Sequence, residues 1–213
     1  MVAPTAPRFV RAVYNSLIVP RAPWLLTAFE PFSSRPRNAS AMVLDAMCTP
    51  AVATRLLPVV FDALADEVAA LLDMRPEILI LMGESGQRNK VHVERIALNV
   101  LDAHGRADNR GVLCRERPVV ADGPLARLAT WDAERVVEVL RSCGVPAHKS
   151  YHAGSYACNQ VLYLALSQAE RMRLDIPIGF LHVPSKHPSP ADQARQLASA
   201  LPRVFEALSG GQP

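Results

Sequence analysis

Cys158 stands where a glycine-containing loop turns into a helix, in the run Ala153-Gly154-Ser155-Tyr156-Ala157-Cys158-Asn159. A helix N-terminus directs backbone amides and the positive end of its dipole at such a position. Both favour a thiolate over a thiol, and the thiolate is the nucleophile. The same amides can hold the oxyanion that forms when a thiolate adds to a carbonyl. The bland alternative is a buried, inert cysteine, which is the commoner fate of any single Cys. His182 lies near the end of the apolar run Gly179-Phe180-Leu181-His182-Val183-Pro184, where a strand's carboxyl end would position it as general base for a thiol. Taken alone, a core histidine with both nitrogens hydrogen-bonded is the simpler reading. Glu94, at the entry to a strand, is placed to orient such a histidine and stabilise its imidazolium, or else to be a solvated partner of Arg95 or Arg88. Phe29 and Phe32 flank Glu30-Pro31 and can form the walls of a flat slot, although aromatics more often anchor a core.

These residues need a scaffold. Trp24–Phe29 and Glu77–Gly83 are short apolar runs that read as buried strands. Arg55–Phe61, Arg95–Leu101 and Ile178–Val183 are further strand candidates. Asn38 or Ser40 can cap a helix running through Met47. Ala63–Met74, Trp131–Ser142, Cys158–Arg173 and Pro190–Leu208 read as helices, and Ala103–Gly123 as a long polar loop of the kind that is often functional. Alternation of strands and helices predicts an α/β fold: one domain over residues 23–213, three layers α/β/α, with a mostly parallel twisted sheet. Ligands of such sheets bind outside the carboxyl ends of the strands, where the loops after Phe29, Gly83 and Val183 leave.

Bulk composition excludes several classes. The 213 residues carry 23 Lys+Arg against 20 Asp+Glu, a small and scattered excess, which argues against a nucleic-acid partner. No run of about 18 apolar residues is present, so no membrane span is expected. Residues 1–22, rich in Pro, Arg and Ala, read as a flexible extension. The four cysteines, Cys48, Cys114, Cys143 and Cys158, show no CxxC pair and no zinc-type spacing; a chain of this length can form a core without disulfide staples, so free thiols and a cytoplasmic location are expected. His187 follows His182 at a poor metal spacing, and His92, His104, His148 and His152 read as loop or strand-edge residues; no metal is expected. Gly83-Glu84-Ser85-Gly86 is not a nucleotide-binding fingerprint.

Taken in order, the blocks resemble the pyroglutamyl peptidase I family, the pyrrolidone carboxyl peptidases. They are Leu26-Thr27-Ala28-Phe29-Glu30-Pro31-Phe32 with Asn38 downstream, Leu57-Pro58-Val59-Val60-Phe61, Arg88 with Val93 to Asn99, Ala153 to Asn159, and Phe180 to Pro184. The resemblance runs from about Leu25 to the C-terminus. It implies a cysteine exopeptidase that removes N-terminal pyroglutamyl groups from peptides, with Cys158, His182 and Glu94 as catalytic triad. It further implies a ring slot of Phe29 and Phe32, with Tyr156 as third wall and Asn38 supporting the loop. No cofactor is implied, and homodimers or homotetramers are.

Three positions depart from the family pattern. Ser33-Ser34 replaces a glycine pair, so the loop is expected to run differently. Glu84 puts a carboxylate near the substrate pocket where an uncharged residue is usual. His104 or Arg106 takes the place of an arginine near the oxyanion. These departures leave open a related thiol amidase with altered acyl specificity, and the same fold leaves open a non-catalytic binder of blocked N-termini.

Overall fold

The computed structural model describes residues 24–86 and 89–210. The extension expected over residues 1–22, and Arg88, lie outside the described residues. The elements in chain order are β1 (Trp24–Phe29), α1 (Ala39–Asp45), β2 (Val52–Leu57), α2 (Leu64–Asp73), β3 (Ile78–Ser85), β4 (Val91–Glu94), β5 (Ile96–Leu98), β6 (Ala126–Leu128), α3 (Ala133–Ser142), β7 (Ala147–Ser150), α4 (Ala157–Arg171), β8 (Ile178–Pro184) and α5 (Pro190–Ser209). Six strands form one sheet in the order β2-β1-β3-β8-β4-β7, and β5 pairs with β6 in a separate two-stranded sheet. Strands β2, β1, β3 and β8 are mutually parallel. Strand β4 runs antiparallel to β8 and carries β7 parallel to itself.

Alternate residues of the central strands enter different cores, which is why their sequences are continuously apolar. Leu26, Ile80 and Leu181 meet Val43 of α1, Val136 of α3 and Leu201 of α5 on one face. Leu25, Leu79 and Phe180 meet Leu64 of α2 and Val161 and Leu162 of α4 on the other. This is the expected three-layer α/β arrangement, with a mostly parallel sheet.

Boundaries differ from the sequence expectation where local chemistry intervenes. Strand β2 begins and ends earlier than the expected Arg55–Phe61. Pro58 has no N–H to offer a ladder, and the Phe61 amide instead donates to Asp108 Oδ2 at 2.9 Å. The expected strand Arg95–Leu101 shrinks to β5, and a further strand that was not expected, β4, ends at Glu94 just before it. Arg95 is the junction: its N–H reaches Ser150 O at the end of β7, while its carbonyl receives the Ala129 N–H beyond β6. The chain thus leaves the main sheet at Arg95, and the segment before it, β4, becomes a central strand. Strand β7, Ala-His-Lys-Ser, carries no apolar alternation and was not expected. Of the two proposed caps for α1, Asn38 is the one used: its Oδ1 accepts the Ser40 N–H at 3.0 Å.

Candidate active site

Cys158 is the second residue of α4, after the N-cap Tyr156. The preceding turn depends on Gly154, whose φ of +83° side-chain-bearing residues rarely adopt. One residue beyond Cys158, the buried Asn159 fixes the start of the helix to β5: it accepts the Leu98 N–H at 2.8 Å and donates to Leu98 O and Val100 O. The helical ladder opens with the Gln160 N–H on Tyr156 O, so the first-turn amides precede it at the end of the helix where Cys158 stands.

The sulfur sits over β3. A Cβ at residue 83 would lie 2.6 Å from Cys158 Sγ and 2.8 Å from Phe180 Cζ, so only glycine lets the thiol approach the strand this closely. With Cys158 as the nucleophile expected from the sequence, Gly83→Ala should displace the sulfur and lower kcat by roughly 10- to 100-fold, on the scale of a misplaced reacting group. Circular dichroism should report an unchanged fold; wild-type turnover in a folded variant would refute this seat.

His182 on β8 is directly opposite Gly83 in the β3–β8 register. Its Nδ1 is 2.7 Å from Glu94 Oε1, with the Glu94 side chain fully buried and that of His182 8% exposed. Glu94 comes from β4, which runs against β8, and the Phe180 ring packs edge-on against the imidazole with centroids 4.8 Å apart. The structure therefore joins Glu94 and His182 directly. Cys158 and His182 line one cavity of about 410 Å³, a size suited to a small ligand.

Phe29, Phe32 and Tyr156 line the same cavity. Phe29 is buried at the end of β1, and Phe32 lies 6.0 Å from Tyr156 between ring centroids. Tyr156 also packs edge-on against Phe61 and donates its hydroxyl to Ala107 O at 2.9 Å. Burial, with Asp108 nearby, pushes the Tyr156 hydroxyl up to about 12, so it remains a neutral donor. Asn38 Nδ2 donates to Glu30 O at 3.1 Å and closes the Phe32 loop. Ser33 in that loop has φ of +52°: it takes up the left-handed conformation in spite of its side chain, which costs on the order of 1 kcal/mol.

Glu84 lines the cavity, but its carboxylate is engaged rather than bare. One oxygen pairs with Arg35, the other accepts the Ala39 N–H at 2.7 Å, and the side chain is 4% exposed. Arg35 in turn stands over the Phe32 ring, 5.7 Å from its centroid. Glu84, Arg35 and Phe32 thus form a clasp between β3 and the slot loop. Of the two residues that could replace the expected arginine, Arg106 reaches the cavity and lies over Phe32 and Tyr156. His104 is exposed outside it, at φ +46°, with Nε2 2.8 Å from Ser155 Oγ. Arg35, Lys186 and Glu30 escaped the sequence reading. Glu30 accepts from the Val59 N–H and Asn109 Nδ2 and ties the slot loop to two others, a role for which its position between Phe29 and Phe32 was the only signal. Among the described residues no group of three or more His, Cys, Asp or Glu is arranged to hold a metal ion.

The sequence profile of the pyroglutamyl peptidase family matches residues 23–203. The chain is 37% identical to a pyrrolidone-carboxylate peptidase of Cupriavidus taiwanensis, with 86% of this chain and 88% of the relative covered. It is 38% identical to pyrrolidone-carboxylate peptidase 2 of Photorhabdus laumondii, with coverage of 86% and 87%. Its fold superposes on the crystal structure of pyrrolidone carboxyl peptidase from Thermus thermophilus with a TM-score of 0.75 at 34% identity, covering 86% of this chain and 98% of that one. The pyroglutamyl peptidase I of Bacillus amyloliquefaciens gives a TM-score of 0.79 at 27% identity, covering 88% and 94%. A match over most of the chain in both sequence and fold means that this protein belongs to the pyroglutamyl peptidase family.

Proposed function

We propose that Cys158, His182 and Glu94 carry out the hydrolysis of N-terminal pyroglutamyl groups, the reaction for which the family is named. The observation that carries this reading is the single cavity shared by the thiol, an imidazole backed by a buried carboxylate, and aromatic walls. The Cys158 thiolate adds to the pyroglutamyl carbonyl, and the first-turn amides of α4 stabilise the oxyanion. His182, its Nδ1 held by Glu94, protonates the departing amine, and water then hydrolyses the thioester with the same imidazole as base.

The substrate ring is a flat, neutral lactam, which aromatic walls can bury. Hydrogen bonds to its N–H and C=O separate it from proline, because a proline substrate would leave those partners unpaired. Release of aminomethylcoumarin from the pyroglutamyl derivative and not from the prolyl one is the direct test; a reduced, folded protein that cleaves neither would refute the reading. Two observations favour pyroglutamate over a shifted acyl group. Ser33 supplies the positive φ that a glycine would have given, and Glu84 is neutralised by Arg35 rather than aimed at the ring.

Glu84 then acts by holding the slot wall. Glu84→Gln, which removes the charge and keeps the shape, is expected to raise KM roughly five- to tenfold with kcat little changed, the scale of one charge-assisted hydrogen bond. A fall in kcat at constant KM would instead place the residue in the chemistry.

The proposal extends to a cytoplasmic homodimer or homotetramer. None of the four cysteines is in a disulfide, in keeping with a reducing compartment, and Leu113, Leu125 and Leu128 are exposed apolar surface available to a second copy. No helix among the described residues is long and apolar enough to cross a membrane.

A further inference from the structure

On the reading above, the acyl slot and the exit for the departing peptide belong to different strands around Cys158. Sheet order places β3, with Gly83 under the sulfur, between β1 and β8. The slot walls Phe29 and Phe32 belong to the end of β1 and its loop, whereas His182, which must reach the departing nitrogen, stands on β8. On that reading the residue after pyroglutamate is directed toward the loop that follows β8. Lys186 is in that loop, exposed and lining the cavity. Arg35 reaches the same rim, with Nη2 3.2 Å from where a Cβ on Gly86 would stand and Ser185 Oγ 3.9 Å from that point.

The rim is cationic although the chain as a whole is nearly balanced. Arg35, Arg106 and Lys186 line the cavity against one carboxylate, Glu84. Arg35 offsets Glu84, and Arg106 stands over the slot walls Phe32 and Tyr156. Among the described residues no carboxylate lies within ion-pair distance of Lys186.

We propose that this flank receives a carboxylate on the residue following pyroglutamate, carried by an acidic side chain or by the free C-terminus of a dipeptide; the inference rests on the pyroglutamyl reading above. Lysine suits either source, being a compact charge on a flexible stem rather than a fixed fork. A solvent-facing pair contributes modestly and is screened by salt, so the effect belongs in relative kcat/KM at low ionic strength.

Four substrates separate the possibilities: pyroglutamyl-alaninamide, pyroglutamyl-alanine with a free C-terminus, pyroglutamyl-glutamic acid α-amide and pyroglutamyl-lysinamide. At least one of the two carboxylate-bearing substrates should exceed the alaninamide in kcat/KM by about threefold or more, the lysinamide should fall below it, and the ratios should approach one at about 0.5 M NaCl. Lys186→Gln should flatten the ranking and Lys186→Glu reverse it, whereas Lys186→Arg should keep it. Preference for the free acid alone assigns the C-terminal carboxylate, and preference for the glutamyl amide alone assigns the side chain. Equal cleavage of all four substrates, or a ranking indifferent to Lys186→Glu, overturns the inference and leaves the pyroglutamyl reading standing. No cleavage of any of them overturns that reading and the inference with it.

Discussion

Replacing Cys158 by alanine is expected to lower kcat on pyroglutamyl-aminomethylcoumarin by at least about 10⁴-fold, because loss of a covalent nucleophile leaves only binding and oxyanion stabilisation. The change removes one atom from a side chain at the second position of α4, so thermal unfolding should be close to wild type. Cys158→Ser, which preserves size, should be nearly as inactive, since a serine hydroxyl is not ionised where a thiol can be. Alkylation supplies an internal control. Cys48 is the exposed cysteine, whereas Cys158 is partly buried. If iodoacetamide inactivates the protein in step with modification of Cys158 and not of Cys48, reactivity follows the site rather than exposure. A Cys158→Ala protein with activity within tenfold of wild type would end the nucleophile assignment.

Glu94→Gln should cost roughly 10²- to 10⁴-fold in kcat. Glu94 is fully buried and its Oε1 meets His182 Nδ1 at 2.7 Å. A carboxylate there accepts the Nδ1–H, so the other ring nitrogen is free to take a proton from the thiol. A glutamine amide can donate to Nδ1 instead, which moves the ring proton to the other nitrogen and abolishes the base. Glutamine is the informative replacement because it fills the same volume. Alanine would instead empty a fully buried site beside the imidazole and leave Nδ1 without this acceptor, which confuses folding with catalysis. The variant should bind a pyroglutamyl product analogue with affinity near that of wild type. Retention of more than a third of wild-type kcat would remove Glu94 from the chemistry.

Much of the fold was legible because the central strands are buried on both faces and read as unbroken apolar runs, β3 most clearly. What escaped was structure imposed from outside the segment. Strand β7 has no pattern of its own and pairs only because β4 lies beside it, and the change of sheet at Arg95, between β4 and β5, is set by partners distant in sequence, Ser150 and Ala129. The candidate residues at the site were legible as types in order along the chain. Asn38 showed the letter of a cap and proved to be one. The state of Glu84 was not legible, because its partner Arg35 is 49 residues away and the pairing exists only once the slot loop folds back over β3.

The antiparallel strand β4 has a consequence for how this protein can change. Its pairing with β8 sets Glu94 beside Phe180 and His92 beside His182, and a slip of one residue would turn every side chain on it to the opposite face. The Glu94–His182 pair is therefore locked into the framework of the molecule, and amide exchange there should occur only through opening of the sheet itself. The aromatic wall at Phe32 is fastened separately, by a few polar ties on a surface loop. Residues 30–38 can thus be rewritten by selection or a designer, reshaping that wall of the cavity while the Glu94–His182 pairing stays in place.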